Sequence, residues 1–464
     1  MATLRVSNQS QLDAAVRTAN GGDTIMLGSG SYARLEMNGV NEGGKVTVTS
    51  ANPGAPAVIK SMLVKGSSNV EVKNVDLQSS GGTPFVVESS RTVRIDNVDI
   101  DGRPGGYGTG IGLRVKGSQD VALLNSEVSH FSNGLSFSGN SNIRISNNDF
   151  RSMSVDAMQL GGIKGAVIDG NDFRQMHSPD ATRHKDMIQF VTGDGKAPSS
   201  NVTIRNNVID NGEVSHAIFF GNGLARGGDL SAFYRNIVVE DNYIRSAHTH
   251  GVTMEHGSGV RILDNTIVAH SSGRDINIPL INVSKSSVNV TIQGNKVASV
   301  PDAQASWNVS GNVTGSKDLL HWSGSNATLR ASSGGSYSSL AAQEEPSTAL
   351  GGGTEAGGDG GRDAFRIIQN PRKDADFLIT DLDFSEGDTI MFRNFDEGTF
   401  VGRPGRSAKV DSLADLRELV AMSGDVSART SGDLLILEIA QGGDVDEVRI
   451  EGWGQEFRAE PDLF

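Results

Sequence analysis

The chain has no cysteine among its 464 residues. That excludes disulfide bonds and thiolate metal ligands. Aromatic residues make up only 5%, too few for many aromatic binding platforms. No apolar run is long enough to span a membrane, so no membrane insertion is expected. The opening MATLRVSNQSQ lacks the basic start and apolar stretch of an N-terminal export signal. Positive charge is in the minority, with 41 Lys and Arg against 55 Asp and Glu and a net charge of -14. A nucleic-acid partner is therefore not expected, and an anionic ligand would need a local basic patch. What the chain has in quantity is glycine, 58 residues, together with Asn, Ser, Val and Ile. That mixture favours many short strands and tight turns.

A repeat organises residues 40 to 300. Asparagine recurs after a β-type run in EVKNVDL, VRIDNVDI, IRISNNDF, VTIRNNVI, RILDNTIV and their relatives. The positions are Asn74, Asn97, Asn125, Asn148, Asn171, Asn207, Asn242, Asn265 and Asn295, and four of the eight intervals equal 23. The others are longer, so a base unit carries insertions. A second column follows: NGLSFS, DAMQLG, DMIQFV, HAIFFG and HGVTME. Apolar residues alternate within it, as a half-buried strand requires. No single unit can bury its own apolar face, so the units must stack. Stacked asparagines at a bend would hydrogen-bond along the axis. These observations predict an all-β right-handed parallel β-helix. A helix starting near Ser10-Gln-Leu-Asp13 would cap its first coil.

Three regions follow: a β-helix with carbohydrate-directed activity over 1–343, a Gly-rich acidic linker over 344–362, and a small β-rich domain over 363–464. The last region is expected to include a short helix near Ser412–Ala421.

Candidate chemistry collects at the two largest insertions, after Asn171 and after Asn207. Seven of the nine histidines lie between 177 and 270. Thr109, Asn133, Asp156, Asp186, His216 and His250 open successive strands of the second column, where neighbouring coils stand roughly 5 Å apart. Gln159 and Gln189 fall on the outward side, and Arg183, His184 and Lys185 arrive just before Asp186. Such a cluster suits β-elimination on a uronic-acid polymer, which needs a base, a carboxylate neutraliser and a proton for the leaving oxygen. His184 or Lys185 would be the base and His216 or His250 its partner. Arg183 would pair with the substrate carboxylate, and Gln159, Gln189 and Tyr234 would contact sugar. Asp156 and Asp186 would orient histidines or hold calcium, or serve as the two carboxylates of a glycoside hydrolase. A non-catalytic carbohydrate-binding protein would want more exposed aromatics than Tyr107, Phe219 and Tyr234. His248-Thr-His250 and His256 offer imidazoles, but zinc needs a third ligand in good geometry and is not expected. Calcium suits the acidic loops at no particular position. No organic cofactor is expected, and the protein should be a monomer.

The opening helix followed by GDTIMLGSGSY, the run His184-Lys-Asp-Met-Ile-Gln-Phe190 and the later SSNVTIRNNVI resemble the right-handed β-helix proteins that include alginate lyases and mannuronan C5-epimerases. The resemblance covers roughly residues 1–310 and implies an anionic polysaccharide as partner. The D-P-H-[DE] motif of the epimerases is absent; chemistry and general fold make a lyase the leading expectation, with an epimerase-like enzyme as an alternative. In the last hundred residues, GDGGRDAF is similar to one calcium-binding nonapeptide of the RTX family. DLDFSEGDTIMF and the terminal Asp-Leu-Phe464 resemble targets of type I secretion. That resemblance implies a secreted, extracellular protein that meets the type I machinery transiently.

Overall fold

A computed structural model describes residues 1–52, 55–79, 82–102, 109–174, 176, 184–211, 215–227, 229, 231–269 and 278–315. Beyond these it describes 347–350, 354–356, 364–368, 376–379, 382, 384, 389–393, 408–410, 412–422, 426–441 and 444–458. The chain divides into two compact units, Met1–Ser323 and Gly324–Phe464.

The first unit is a solenoid of three parallel sheets with 13, 10 and 10 strands, and the chain visits them in turn. Successive strands of a sheet are one coil apart, for example Asn133–Ser138, Asp156–Gly161, Asp186–Val191 and His216–Gly221. The alternation seen in the sequence sets which side chains face inward. Leu135, Phe137, Met158, Leu160, Ile188, Phe190, Ile218 and Phe220 are all buried. Like residues stack on like along the axis: the Phe150 and Phe173 rings lie 4.8 Å apart, and those of Phe190 and Phe220 4.5 Å apart. This is the expected right-handed parallel β-helix.

The asparagine ladder exists, but the sequence reading merged two adjacent columns. Asn148, Asn171, Asn207, Asn242, Asn265, Asn295 and Asn312 form the inward one. Each of the first six passes its backbone N–H and its Nδ2 to the Oδ1 of the next, at 2.9–3.0 Å. Asn74, Asn97 and Asn125 instead stand one place earlier, with φ of 52°, 51° and 50°. Their column continues through Asn147, Gly170 and Asn206, all left-handed. Asparagine is chosen there for the backbone angle it tolerates. In the first coils the inward place belongs to Val75, Val98 and Ser126, all buried.

The first coil is covered by the helix Gln9–Thr18. Asn8, rather than Ser10, is its N-cap, accepting from the Gln11 amide at 3.0 Å. Leu12 and Ala15 are buried against the solenoid core.

In the second unit, strands Ser347–Leu350, Ala364–Ile368 and Thr389–Arg393 pair in parallel in one sheet. Thr354–Ala356 and Asp376–Ile379 pair in parallel in another. The chain thus alternates between two sheets, and the stretch read as a linker over 344–362 contains the strands Ser347–Leu350 and Thr354–Ala356. Backbone pairing organises them where side-chain periodicity gives no sign. The helix Leu413–Met422 lies where the sequence placed it, with the Ser412 hydroxyl accepting from the Asp415 amide. Val426–Ser431, Leu434–Gln441 and Asp444–Ile450 form an antiparallel meander. Its apolar residues share a core with Ile379, Leu416 and Leu419.

Candidate active site

The site sits on the sheet that carries the second column. Asn133, Asp156, Asp186 and His216 are in register on four consecutive strands. Ile111, not Thr109, precedes them. His250 opens the next strand, and its ring lies 4.4 Å from that of His216.

Asp186 is the centre and is fully buried. Its Oδ2 lies 2.7 Å from His184 Nδ1 and accepts from Gln189 Nε2 at 2.5 Å. Its Oδ1 lies 2.8 Å from His216 Nδ1. That approach is out of line for a hydrogen bond, so both atoms are buried without a hydrogen-bond partner among the described residues. One carboxylate therefore faces two imidazoles. Asp156 lies beneath it, accepting from the Asp186 amide at 3.1 Å and from Asn133 Nδ2 at 2.9 Å. Both acids sit under the histidines rather than at the surface, where they orient the groups above them.

The histidines gather closely. His184 meets His216 edge-on at 4.2 Å between ring centres. His248 stands 4.5 Å from His216 and 5.0 Å from His250. Nδ1 of His248 accepts from the His250 amide at 3.2 Å, and Nδ1 of His250 lies 2.7 Å from the Thr253 hydroxyl.

These environments push the ionisations apart. Contact with Asp186 raises His184 above the ordinary histidine value. Burial, then the neighbouring imidazoles, lowers His248 and His250 to about 4. Burial, then the Asp186 charge, raises Asp156 to about 7. The cluster thus holds two imidazoles of lowered basicity beside one whose protonated form Asp186 favours.

An outward row runs beside the cluster, with Gln159, Gln189, Phe219 and Thr253 in register. Gln159 Nε2 donates to Gln189 Oε1 at 2.7 Å, and Gln159 Oε1 accepts from Lys196 Nζ at 3.2 Å. The structure thus brings together His184, His216, His250, Asp156, Asp186, Gln159 and Gln189. Lys185 adjoins them and is buried. Arg183 lies outside the described residues, as do His177, His270 and Tyr107.

Tyr234 is a correction. It is fully buried inside the coil and donates its hydroxyl to the Gly221 carbonyl at 2.7 Å. Its ring packs edge-on against Phe220 at 5.2 Å. It opens a strand of the long sheet, where the strand's alternation turns it inward, and so it cannot touch a sugar. Lys196 and His248 were not assigned to the site from sequence. Lys196 belongs to the insertion GDGKAPSS, and only the turn around it, pairing Gly193 with Lys196, aims it at Gln159.

Residues 61–314 match the family described as right handed beta helix region. The chain belongs to this family. No curated protein matches it. Among solved structures, the Dettilon tailspike protein is similar at 14% identity over 67% of this chain and 63% of that one, with a TM-score of 0.43. The chain therefore spans less than two thirds of that protein's length. An alginate lyase from Paenibacillus sp. str. FPU-7 is similar at 14% identity over 68% of this chain and 99% of that one, TM-score 0.34. The A-module of the Azotobacter vinelandii mannuronan C-5 epimerase AlgE4 is similar at 14% identity over 68% of this chain and 100% of that one, TM-score 0.42. None of these likenesses assigns a role to a residue of the site.

Proposed function

We propose that this β-helix protein is a secreted polysaccharide lyase that cleaves a uronic-acid polymer by β-elimination. The observation that carries the reading is the shared Asp186 carboxylate, with His184 and His216 on its two oxygens and His250 against His216. His250 is neutral at physiological pH and acts as the base. It takes the C5 proton of the uronate, the C4–C5 double bond forms, and the C4–O4 bond breaks. The departing oxygen takes a proton from an imidazolium of the same cluster. His184, whose protonated form Asp186 favours, offsets the charge that builds on the substrate carboxylate. This exchanges the roles expected from the sequence, since the imidazole in contact with the Asp186 carboxylate favours its cationic form and suits charge neutralisation. Gln159 and Lys196 offer hydrogen bonds to hydroxyl and carboxylate groups, backed by the buried Gln189, while Phe219, expected to be exposed, is buried against the histidines. Burial of Asp156 and Asp186 speaks against a glycosidase in which both flank the scissile bond.

The test incubates the protein with alginate, pectate, glucuronan and bacterial exopolysaccharides. Ultraviolet absorbance from unsaturated ends is expected on one of them and is lost in His250→Gln. New reducing ends without unsaturation would replace the lyase by a hydrolase.

For the second unit we propose export through a type I system, with calcium as its ligand. Alternation of strands between two sheets supports this. Removing 324–464 should keep the protein inside a host that supplies such an exporter. Release of the truncated chain into the medium would end the proposal.

A further inference from the structure

The cluster contains more histidine than proton transfer requires. We infer that His216, His248 and His250 form a binding site for a transition-metal ion of the zinc class. Each offers one ring nitrogen, and these atoms lie within 4.8 Å of one another. In a tetrahedral shell with metal–nitrogen bonds of about 2.0–2.1 Å, ligand nitrogens stand roughly 3.3 Å apart. Small rotations of three adjacent rings close that difference. The donors are nitrogens, which suit zinc, cobalt or copper and not calcium or magnesium.

The groups behind the rings fit as well. A ligating histidine usually directs its other nitrogen at a carboxylate or another oxygen, which fixes the tautomer. Asp186 stands behind Nδ1 of His216, and the Thr253 hydroxyl behind Nδ1 of His250. Both rings then have Nε2 left for an ion. His216 Nδ1 and Asp186 Oδ1 are both among the buried side-chain atoms without a hydrogen bond among the described residues. An ion on His216 Nε2 keeps the proton on Nδ1, facing that carboxylate. His248 spends its unprotonated Nδ1 on the His250 amide at 3.2 Å. Ligation through that nitrogen replaces this long bond. His256 takes no part, because its Nδ1 is 2.6 Å from the Ser286 hydroxyl and it is not within ligand reach of the other three.

His250 cannot hold an ion and accept a proton through the same nitrogen. The ion is therefore an inhibitor, and the loaded protein is silent until the ion is removed. This consequence rests on the lyase reading, whereas the binding site does not.

The experiment strips the full chain with chelator, removes the chelator, and titrates cobalt(II) while recording visible absorption. Zinc(II) is then titrated in competition with a chromophoric chelator. One equivalent with the intense spectrum of tetrahedral cobalt is expected for the natural chain. Thr253→Ala should weaken zinc by roughly 10- to 100-fold. His248→Ala should weaken it further, and His256→Ala should leave it unchanged. Circular dichroism checks that each variant folds. If His248→Ala does not, the cobalt spectrum and Thr253→Ala decide. No saturable binding, or equal losses in His248→Ala and His256→Ala, would overturn the site. Saturable zinc binding by a stripped protein that, metal-free, shows no lyase activity on any polymer would remove the lyase reading and leave the site standing. Full lyase activity at saturating zinc would overturn the inhibition.

Discussion

Replacing Asp156 by asparagine should change how stability depends on pH. Asp156 is 3% exposed, and burial together with Asp186 raises its pKa from 3.8 to about 7. The folded value lies above the unfolded one, so the folded chain holds this proton more tightly. The stability contributed by the group is complete below about pH 4 and is lost as pH rises through about 7. A shift of roughly three units, at about 1.4 kcal/mol each, corresponds to about 4 kcal/mol across that window. Solvent screening takes little from it, because the carboxyl group is covered. The amide introduced by Asp156→Asn does not titrate. Its oxygen still accepts from the Asp186 amide, and its NH2 group obliges Asn133 to turn its own side-chain amide, an offset independent of pH. Urea unfolding of both proteins, followed by far-ultraviolet circular dichroism at several pH values between 4 and 8, reads the difference. The C-terminal unit is common to both and cancels. The variant should gain on the natural chain by about 4 kcal/mol between the ends of the range. A difference that stays flat with pH would refute a carboxyl group strained by burial.

With chelator present, lyase activity should survive well below the ordinary histidine value and fall only near pH 4, where His250 takes up its proton. An acid limb centred near 6.5, the unperturbed histidine value, would remove His250 as the base. Asn207→Ala should cost about 2–4 kcal/mol in urea unfolding, because it leaves the Asn171 amide and the Ile168 carbonyl without their partner. A loss below about 0.5 kcal/mol, the range of ordinary surface substitutions, would mean that the ladder contributes little. Tyr234→Phe should lower stability by about 1 kcal/mol through the lost bond to the Gly221 carbonyl, and it should leave KM unchanged. A raised KM would return Tyr234 to the groove.

The fold was legible because the solenoid repeats its instructions. Leu135/Phe137, Met158/Leu160 and Ile188/Phe190 each report the same alternation, and the insertions cannot hide it. Registration was less legible. In IRISNNDF two neighbouring asparagines satisfy different demands, Asn147 a left-handed backbone and Asn148 an inward hydrogen bond. A one-letter pattern does not separate them. The site was legible as a column, since Asp156, Asp186, His216 and His250 follow from strand phase alone. Tyr234 was misplaced because an aromatic residue just after an insertion looks the same whether its strand turns it inward or outward. His248 was left out of the site because it precedes the strand that His250 opens, and only the stacking of coils brings its ring to 4.5 Å from that of His216.

The register of the coils gives the site an unusual modularity. Asn133, Asp156, Asp186, His216 and His250 occupy one place on successive rungs, so each coil contributes a single letter to a word written along the axis. Inserting one whole coil of about 23 residues between the rungs of Asp186 and His216 would preserve every inward contact type. It would also move the two groups apart by roughly a further 5 Å, which is enough to part the carboxylate from one of its imidazoles. The scaffold would accept the edit while the word became unreadable. In this architecture spelling can change by whole letters with no penalty to the page on which it is written.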